Sequence, residues 1–222
     1  MILAIKNVLH ENQLKVIRTL LANADFVDGK LSAGSEAVKV KQNEELARQS
    51  PLHEQLNQML MPALLQHPEY QAFAFPIKIA TPFYARYIKG MSYGLHVDDP
   101  VMGPMNGRYR SDISTTIFLN DDYEGGELVI MDTFGERRIK PTAGDAIVYP
   151  STSLHEVTEV ESGERLVAVL WAQSMIKDPL KRDLVYELGL ARNTLIKERA
   201  DSSETGHVSN VYANLVRRWS DV

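Results

Sequence analysis

The chain contains no cysteine among its 222 residues. Disulfides and thiolate metal sites are therefore excluded, and any bound metal must use nitrogen and oxygen ligands from His, Asp, Glu or Tyr. Long apolar runs are also missing, because the longest one, residues 166–172, is far shorter than the roughly 20 residues that span a bilayer. We expect no membrane-spanning segment and no membrane partner.

An excess of basic residues is missing as well. Lys and Arg number 24 against 29 Asp and Glu, which gives a net charge of −5. Both signs are spread along the chain, and this pattern disfavours a nucleic-acid partner, which requires clustered positive charge. The apolar start M-I-L-A-I is too short for the core of a signal peptide and precedes no cleavage site. We predict a cytoplasmic protein.

Helical signals dominate the first part of the chain. An amphipathic helix is predicted over 11–24, where apolar residues recur at three- and four-residue spacing: Leu14, Ile17 and Leu21. Ser50 as N-cap and Pro51 at the first helical position predict a second helix. Residues 29–40 between the two helices are typical of a turn and a short strand. We predict that residues 1–71 form N-terminal helices and short strands that pack on a barrel.

A β-rich region follows from residue 72 to residue 177. Its short runs are separated by Gly, Asp, Asn and Pro, and they read A-F-P-I-K-I-A, F-Y-A-R-Y-I, I-S-T-T-I-F-L, G-E-L-V-I-M, A-I-V-Y and L-V-A-V-L-W-A. Many short strands without intervening helices predict an antiparallel sandwich or barrel of the jelly-roll kind. The predicted fold class is therefore mainly β with flanking α-helices.

Residues 178–222 return to a helical period and predict a C-terminal helical hairpin around the polar turn D-S-S-E-T-G. Its two helices carry apolar stripes, formed by Leu180, Leu184, Leu188, Ala191 and Leu195 and by Val208, Val211, Leu215 and Trp219. Apolar stripes need cover, so we expect either the barrel or a second subunit to pack on them. In the second case the protein is a homo-oligomer assembled through this hairpin.

His96 and Asp98 lie two positions apart in a stretch that is typical of a strand, so their side chains point to the same face. His155 follows a predicted turn and strand that should end near the mouth of the barrel. Two histidines and one carboxylate form the triad that suits ferrous iron and leaves coordination positions open for substrate and dioxygen. An H-x-D pair alone is a weak signal, because such pairs also occur by chance. A purely structural metal site would more often have four protein ligands than three.

Arg165 opens the run R-L-V-A-V-L-W-A, in which alternation places it on the same face as Val167, Val169 and Trp171. An arginine on the inner face of an apolar barrel is costly unless an anion meets it, and its planar fork suits a carboxylate. The alternative interpretation is an arginine at the start of a strand whose head group reaches solvent.

The motifs together resemble a known enzyme family. The runs Y-I-K-G-M-S-Y-G-L-H-V-D, Y-E-G-G-E-L and P-T-A-G-D-A-I-V-Y-P-S-T-S-L-H-E-V, followed by Arg165, resemble the prolyl and lysyl hydroxylase-like Fe(II)- and 2-oxoglutarate-dependent dioxygenases. The whole chain, including its helical tail, is similar to the bacterial PKHD-type hydroxylases, a group often associated with iron uptake. The resemblance implies a double-stranded β-helix, a distorted jelly roll.

The resemblance also implies ligands and roles. His96, Asp98 and His155 match the residues that hold Fe(2+), and Arg165 matches the residue that binds the distal carboxylate of 2-oxoglutarate. Tyr93 matches a tyrosine that often helps to hold this co-substrate, although it also fits as an aromatic residue that packs in the barrel. The implied activity is hydroxylation of an unidentified substrate with dioxygen, with succinate and CO2 as co-products and L-ascorbate as reductant.

Two other functions remain open at this point. A cupin-like metal-binding barrel, acting as an isomerase or binding a small ligand, would need neither Arg165 nor 2-oxoglutarate. The second is a scaffold that assembles through its tail and holds a purely structural metal. The presence of three protein ligands rather than four disfavours this function. We assign Asp99 no metal role, interpret Tyr84 and Tyr87 as packing residues, and expect the loop 99–110 to be a substrate lid or a mobile connector.

Overall fold

Short strands and three α-helices make up the N-terminal region. The computed structural model describes residues 1–222, and its first elements are β1 (Leu3–Ile5), α1 (Glu11–Leu21), β2 (Phe26–Asp28), β3 (Lys41–Gln42), β4 (Glu44–Leu46), α2 (Leu52–Leu65) and α3 (Pro68–Ala74). Both predicted helices are confirmed, although α1 ends before residue 24 and the N-cap of α2 is Pro51 rather than Ser50. The backbone N–H of His10 donates to the Gln13 side chain at 3.0 Å, which closes the first turn of α1.

Two details predicted for this region are wrong. No strand lies within 29–40, which instead holds two 3₁₀ turns, Gly29–Ser32 and Ala37–Lys39. Residues 72–74 belong to α3 rather than to the first β-rich run, because Pro68 begins a short helix and the left-handed Phe75 ends it. A helix this short has too few turns for its period to be recognised in the sequence.

The predicted β-rich runs all form strands. In chain order these are β5 (Pro76–Ile79), β6 (Phe83–Ile88), β7 (Ser92–His96), β8 (Val101–Met102), β9 (Tyr109–Arg110), β10 (Ile113–Phe118), β11 (Glu124–Gly125), β12 (Leu128–Asp132), β13 (Gly135–Ile139), β14 (Ala146–Pro150), β15 (His155–Val157), β16 (Val160–Ser162) and β17 (Glu164–Ser174). Every pairing between them is antiparallel, as the jelly-roll prediction requires.

Two large sheets build the barrel. The major sheet has the order β1-β14-β10-β17-β6-β4-β2, with β5 beside β17, and the minor sheet has the order β13-β12-β15-β7-β3. Buried residues of both sheets meet between them, among them Phe118, Ile147, Val167, Leu128 and Ile130. On the outer face of the major sheet, a larger apolar cluster holds α1, α2 and α3 against the strands. Burial of this apolar surface is the main stabilising term of the fold.

The chain crosses from one sheet to the other at Asn43. β3 pairs with β7 of the minor sheet, whereas β4 pairs with β6 of the major sheet. We call residues 41–46 the seam segment, because its two strands belong to different sheets. A buried ion pair between Lys41 and Glu45, with an N–O distance of 2.5 Å, lies within it.

Helices α4 (Pro179–Arg199) and α5 (Ser203–Trp219) form the predicted C-terminal hairpin. The face of α4 that packs on the rest of the chain is not the predicted apolar stripe, because α4 buries Arg182, Val185 and Tyr186. In the stripe, Leu180 and Leu184 are 73% and 61% exposed whereas Leu188 and Leu195 are half-buried, so the chain covers it only in part. None of the helices combines the length and the apolar character that crossing a membrane would require.

Candidate metal centre

Neighbouring strands of the minor sheet bring the predicted metal ligands together. His96 ends β7, His155 begins β15, and these two residues are partners in the antiparallel ladder. Asp98 follows β7, and its Oδ1 lies 4.0 Å from Nε2 of His155. One ligand atom from each side chain lies within 4.8 Å of the other two. The three residues therefore fit around one metal ion, and Asp99 is not part of the cluster.

Hydrogen bonds orient both imidazole rings. Nδ1 of His96 donates to the carbonyl oxygen of Gly94 at 2.7 Å, and Nδ1 of His155 donates to that of Ser153 at 3.0 Å. This tautomer leaves Nε2 of each ring free to bind a metal. Burial and, to a smaller extent, the neighbouring His155 lower the pKa of His96 to about 4, so its ring is neutral at pH 7. Two neutral imidazoles and one carboxylate are the donor set that suits ferrous iron.

Two serines hold the carboxylate of Asp98, and neither was found from the sequence. Ser114 Oγ donates to Oδ2 of Asp98 at 2.5 Å, and it lies 2.8 Å from Oγ of Ser151. Both serines are fully buried, on β10 and directly after β14 of the opposite sheet. Hydrogen bonding to one carboxylate oxygen leaves the other, Oδ1, available to a metal. The sequence carries no signal for this contact, since residues 98 and 114 are brought together only by the packing of the two sheets.

Arg165 lies inside the barrel rather than at its surface. Its side chain is 1% exposed, and its Nε and Nη1 have no hydrogen-bond partner. The guanidinium stands 4.9 Å from the ring centroid of Tyr87 and 5.4 Å from that of Phe118, and no carboxylate lies within ion-pair distance. A buried charge without a partner is strongly unfavourable. The geometry therefore fits a guest carboxylate, and the solvent-exposed alternative is wrong.

Gly126 makes room for this arginine. Its φ is 61°, in the left-handed region, and a Cβ atom on it would lie 3.0 Å from Cδ of Arg165 and 2.9 Å from Val160. Any side chain here would press on the guanidinium arm. The run G-G thus serves the close approach of backbone to a side chain, and no helix follows it that could bind a phosphate.

Two tyrosines line the cavity beside these groups. Tyr93 stacks on the ring of His96, with centroids 3.7 Å apart and an angle of 12° between the planes. Tyr87, interpreted from the sequence as a packing residue, also lines the cavity, and burial raises its pKa to about 12 even though Arg165 acts in the opposite direction. Tyr84 points away from the cavity and donates to Asn57 at 2.9 Å.

A single large cavity contains both the triad and Arg165. Its volume is about 1090 Å³, and Lys41 and Glu45 of the seam segment form part of its wall. Residues 99–110 form a short hairpin of β8 and β9 at its entrance, in which Tyr109 and Met102 contact each other and line the cavity. This hairpin stands where the predicted lid would be, and its movement stays a prediction.

The fold and this site define the class of protein, a 2OG-Fe(II) oxygenase. The model of the 2OG-Fe(II) oxygenase superfamily matches residues 82–173. The chain shares its fold with a Pseudomonas putida prolyl-4-hydroxylase, at 17% identity and a TM-score of 0.54 over 78% of this chain and 92% of that one. It also resembles HygX from Streptomyces hygroscopicus with nickel, 2-oxoglutarate and hygromycin B bound, at 13% identity and a TM-score of 0.56 over 79% and 84% of the two chains. These likenesses confirm the predicted jelly roll.

The particular family follows from closer relatives. The model of the PKHD-type hydroxylase C-terminal domain matches residues 180–221. The chain is 49% identical to a PKHD-type hydroxylase of Thioalkalivibrio sulfidiphilus and 42% identical to one of Stenotrophomonas maltophilia, in each case over 100% of both chains. The chain belongs to the PKHD-type hydroxylases, as the sequence motifs indicated. It is a 2-oxoglutarate-dependent hydroxylase, and its family implies Fe(II) and 2-oxoglutarate as cofactor and co-substrate.

Proposed function

We propose that the protein hydroxylates a substrate with dioxygen, by means of Fe(2+) bound to His96, Asp98 and His155 and of 2-oxoglutarate bound to Arg165; one oxygen atom enters the substrate, the other enters succinate, and CO2 is released. The observation that carries this proposal is the buried, unpaired guanidinium of Arg165 in the same cavity as the triad. A dicarboxylate that reaches from a metal to an arginine satisfies both groups at once.

The residues of the chain have separate tasks in this reaction. When bound, ferrous iron and 2-oxoglutarate would supply the chemistry that activates dioxygen, which oxidises both the co-substrate and the substrate. His96 and His155 offer neutral nitrogens, while Ser114 holds Asp98 so that one oxygen faces the metal position. Arg165 orients the co-substrate.

Several finer predictions belong to the same proposal. Tyr93 is proposed to help to hold 2-oxoglutarate, which its place between His96 and the cavity supports. L-Ascorbate as the reductant, a cytoplasmic location and self-association through the tail stay predictions. The division into residues 1–71, the dioxygenase unit 72–177 and the extension 178–222 is proposed on the order of the elements.

The cupin-like alternative is not favoured, because it gives Arg165 no anion to bind. An anaerobic titration of the Fe(II)-loaded protein with 2-oxoglutarate tests the proposal. We expect a visible charge-transfer band that saturates with 2-oxoglutarate and is absent in His155→Ala. Absence of both the band and binding in the unmodified protein would contradict the proposed function and leave a metal-binding barrel.

A further inference from the structure

The cavity has two ends of different chemistry. Arg165 and Trp171 stand on the same face of β17 and both line the cavity. Because a strand rises about 3.3 Å per residue, these two side chains are roughly 20 Å apart along the strand. On the neighbouring strand β6, Tyr87 pairs with Arg165 and Phe83 pairs with Val169. The end with Arg165 is assigned to the co-substrate, so the end with Trp171 is left for a second molecule.

Aromatic rings and cations form this second end, which we call the outer end. The rings of Phe83 and Trp171 pack edge to face, with centroids 5.7 Å apart. The guanidinium of Arg48 lies 5.5 Å from the Phe83 centroid. Lys78 also lines the cavity, and its ammonium group donates only to the backbone carbonyl of Arg108, at 3.4 Å.

The charges of the outer end are not balanced within the protein. Neither Arg48 nor Lys78 has a carboxylate within 4.0 Å, since no ion pair of the structure includes them. The other carboxylates that line the cavity are engaged elsewhere: Glu45 pairs with Lys41 at 2.5 Å, and Asp98 belongs to the metal centre. Asp99 is exposed and lies against Gly34. An aromatic wall flanked by two free cations is complementary to an apolar body that carries an anion.

We infer that the molecule hydroxylated by this enzyme carries a carboxylate on an apolar or aromatic body. Arg48 and Lys78 bind the carboxylate, and Phe83 and Trp171 pack on the body while its other end reaches toward the triad. The inference rests on the proposed function, because it takes the Arg165 end to be filled by 2-oxoglutarate. The fork of Arg48 and the point charge of Lys78 act as specificity-determining groups that do not touch the metal.

Three probes of matched shape and different charge test the inference: 4-phenylbutyrate, its primary amide 4-phenylbutyramide, and 4-phenylbutylamine. Their binding is measured by anaerobic titration of the Fe(II)-loaded protein with 2-oxoglutarate at saturation, so that Arg165 is already occupied. We expect the carboxylate to bind about fivefold or more tightly than the amide at low salt, and the amine to bind most weakly. Added salt should reduce this preference, because both cations are exposed.

A charge-reversed double variant, Arg48→Glu with Lys78→Glu, provides the decisive comparison. It should invert the order of the probes, so that the amine binds most tightly. Lys89→Glu is the matched control, since Lys89 is exposed but does not line the cavity, and it should keep the original order. If Arg48 and Lys78 are solvated and do not bind the probes, the order of the three affinities should be the same in the unmodified protein and in all variants.

Two results would overturn the inference. One is that the carboxylate probe does not bind or binds no better than the amide; the other is that the double variant keeps the original preference. In both cases the charge-transfer band of 2-oxoglutarate would still be present, and the proposed function would stand. Loss of that band in the unmodified protein would instead refute the proposed function.

Discussion

Replacement of Arg165 by Met separates the role of this charge in binding from its effect on folding. The arginine is 1% exposed and has no protein carboxylate as a partner. Its removal should cost roughly 2 to 5 kcal/mol of 2-oxoglutarate binding, the range for one partner of a desolvated charge pair. At about 1.4 kcal/mol for each factor of ten, this corresponds to a thirtyfold to several-thousandfold weaker affinity.

The same substitution should not weaken the ligand-free protein. Arg165 is buried without a counter-charge, and exchange of such a group for an apolar one of similar volume is often neutral or stabilising. In the unmodified protein, 2-oxoglutarate at 100 times its Kd should stabilise by about 2.7 kcal/mol. For a domain of this size, that raises Tm by about 5 to 11 °C. At the same concentration, Arg165→Met should show at most about a third of this rise.

Thermal unfolding of the Fe(II)-loaded protein under anaerobic conditions measures both effects. Arg182→Met is the matched control, because Arg182 is the other arginine at 1% exposure and its Nη1 donates to the carbonyl of Ile176 at 2.8 Å, outside the cavity. This control should lower the Tm of the ligand-free protein and keep the full rise with 2-oxoglutarate. A full rise in Arg165→Met would show that the buried charge does not bind the co-substrate.

Three other perturbations address the metal centre and the tail. Ser114→Ala should weaken Fe(II) binding about 10- to 100-fold in a competition assay with a chelator, and Ser114→Thr should restore it. In the metal-free folded protein, the pKa of His96 is lowered to about 4, whereas in the unfolded state it is about 6.5. Between these two pH values the unfolded state therefore binds more protons than the folded state. Stability should therefore fall as the pH is lowered through this window, with a flatter dependence in His96→Gln, as measured by urea unfolding. Leu184→Glu should make a self-associated protein monomeric in light scattering, because Leu184 is 61% exposed.

Each of these expectations has a contrary outcome. Unchanged Fe(II) affinity in Ser114→Ala would remove Ser114 from the support of Asp98. Equal pH dependence of stability in the unmodified protein and in His96→Gln would show that the ring of His96 is not held neutral by burial. A protein that is already monomeric would contradict assembly through the tail.

The sequence predicts best what depends on alternation along a single strand. His96 and Asp98 share a face of a strand end, and Arg165 lies inside because it alternates with Val167 and Val169 on β17. Because the backbone makes side chains alternate between the two faces of a strand, burial of one residue predicts that the residues two positions away face the same side. The jelly roll itself follows from many short antiparallel runs, each of which reappears as a strand.

Contacts between distant segments were not predictable in this way. The bond from Ser114 to Asp98 depends on how the two sheets pack together. The buried face of α4 also differs from its most apolar stripe: Arg182 is inside, where it bonds to a backbone carbonyl, while Leu184 is outside. Tertiary packing, rather than helical period, decides which face of such a helix is covered.

The seam segment has a consequence for how the family can diversify. Residues 41–46 lie outside the stretch 82–173 that the oxygenase superfamily shares, yet Lys41 and Glu45 form part of the cavity wall, with Arg48 just beyond them. In the inferred substrate site, Arg48 and Lys78 thus precede the stretch that holds the iron ligands, whereas Phe83 and Trp171 lie within it. If Arg48 binds the substrate as inferred, a lineage can change part of its substrate preference in a short N-terminal stretch while the iron ligands stay the same.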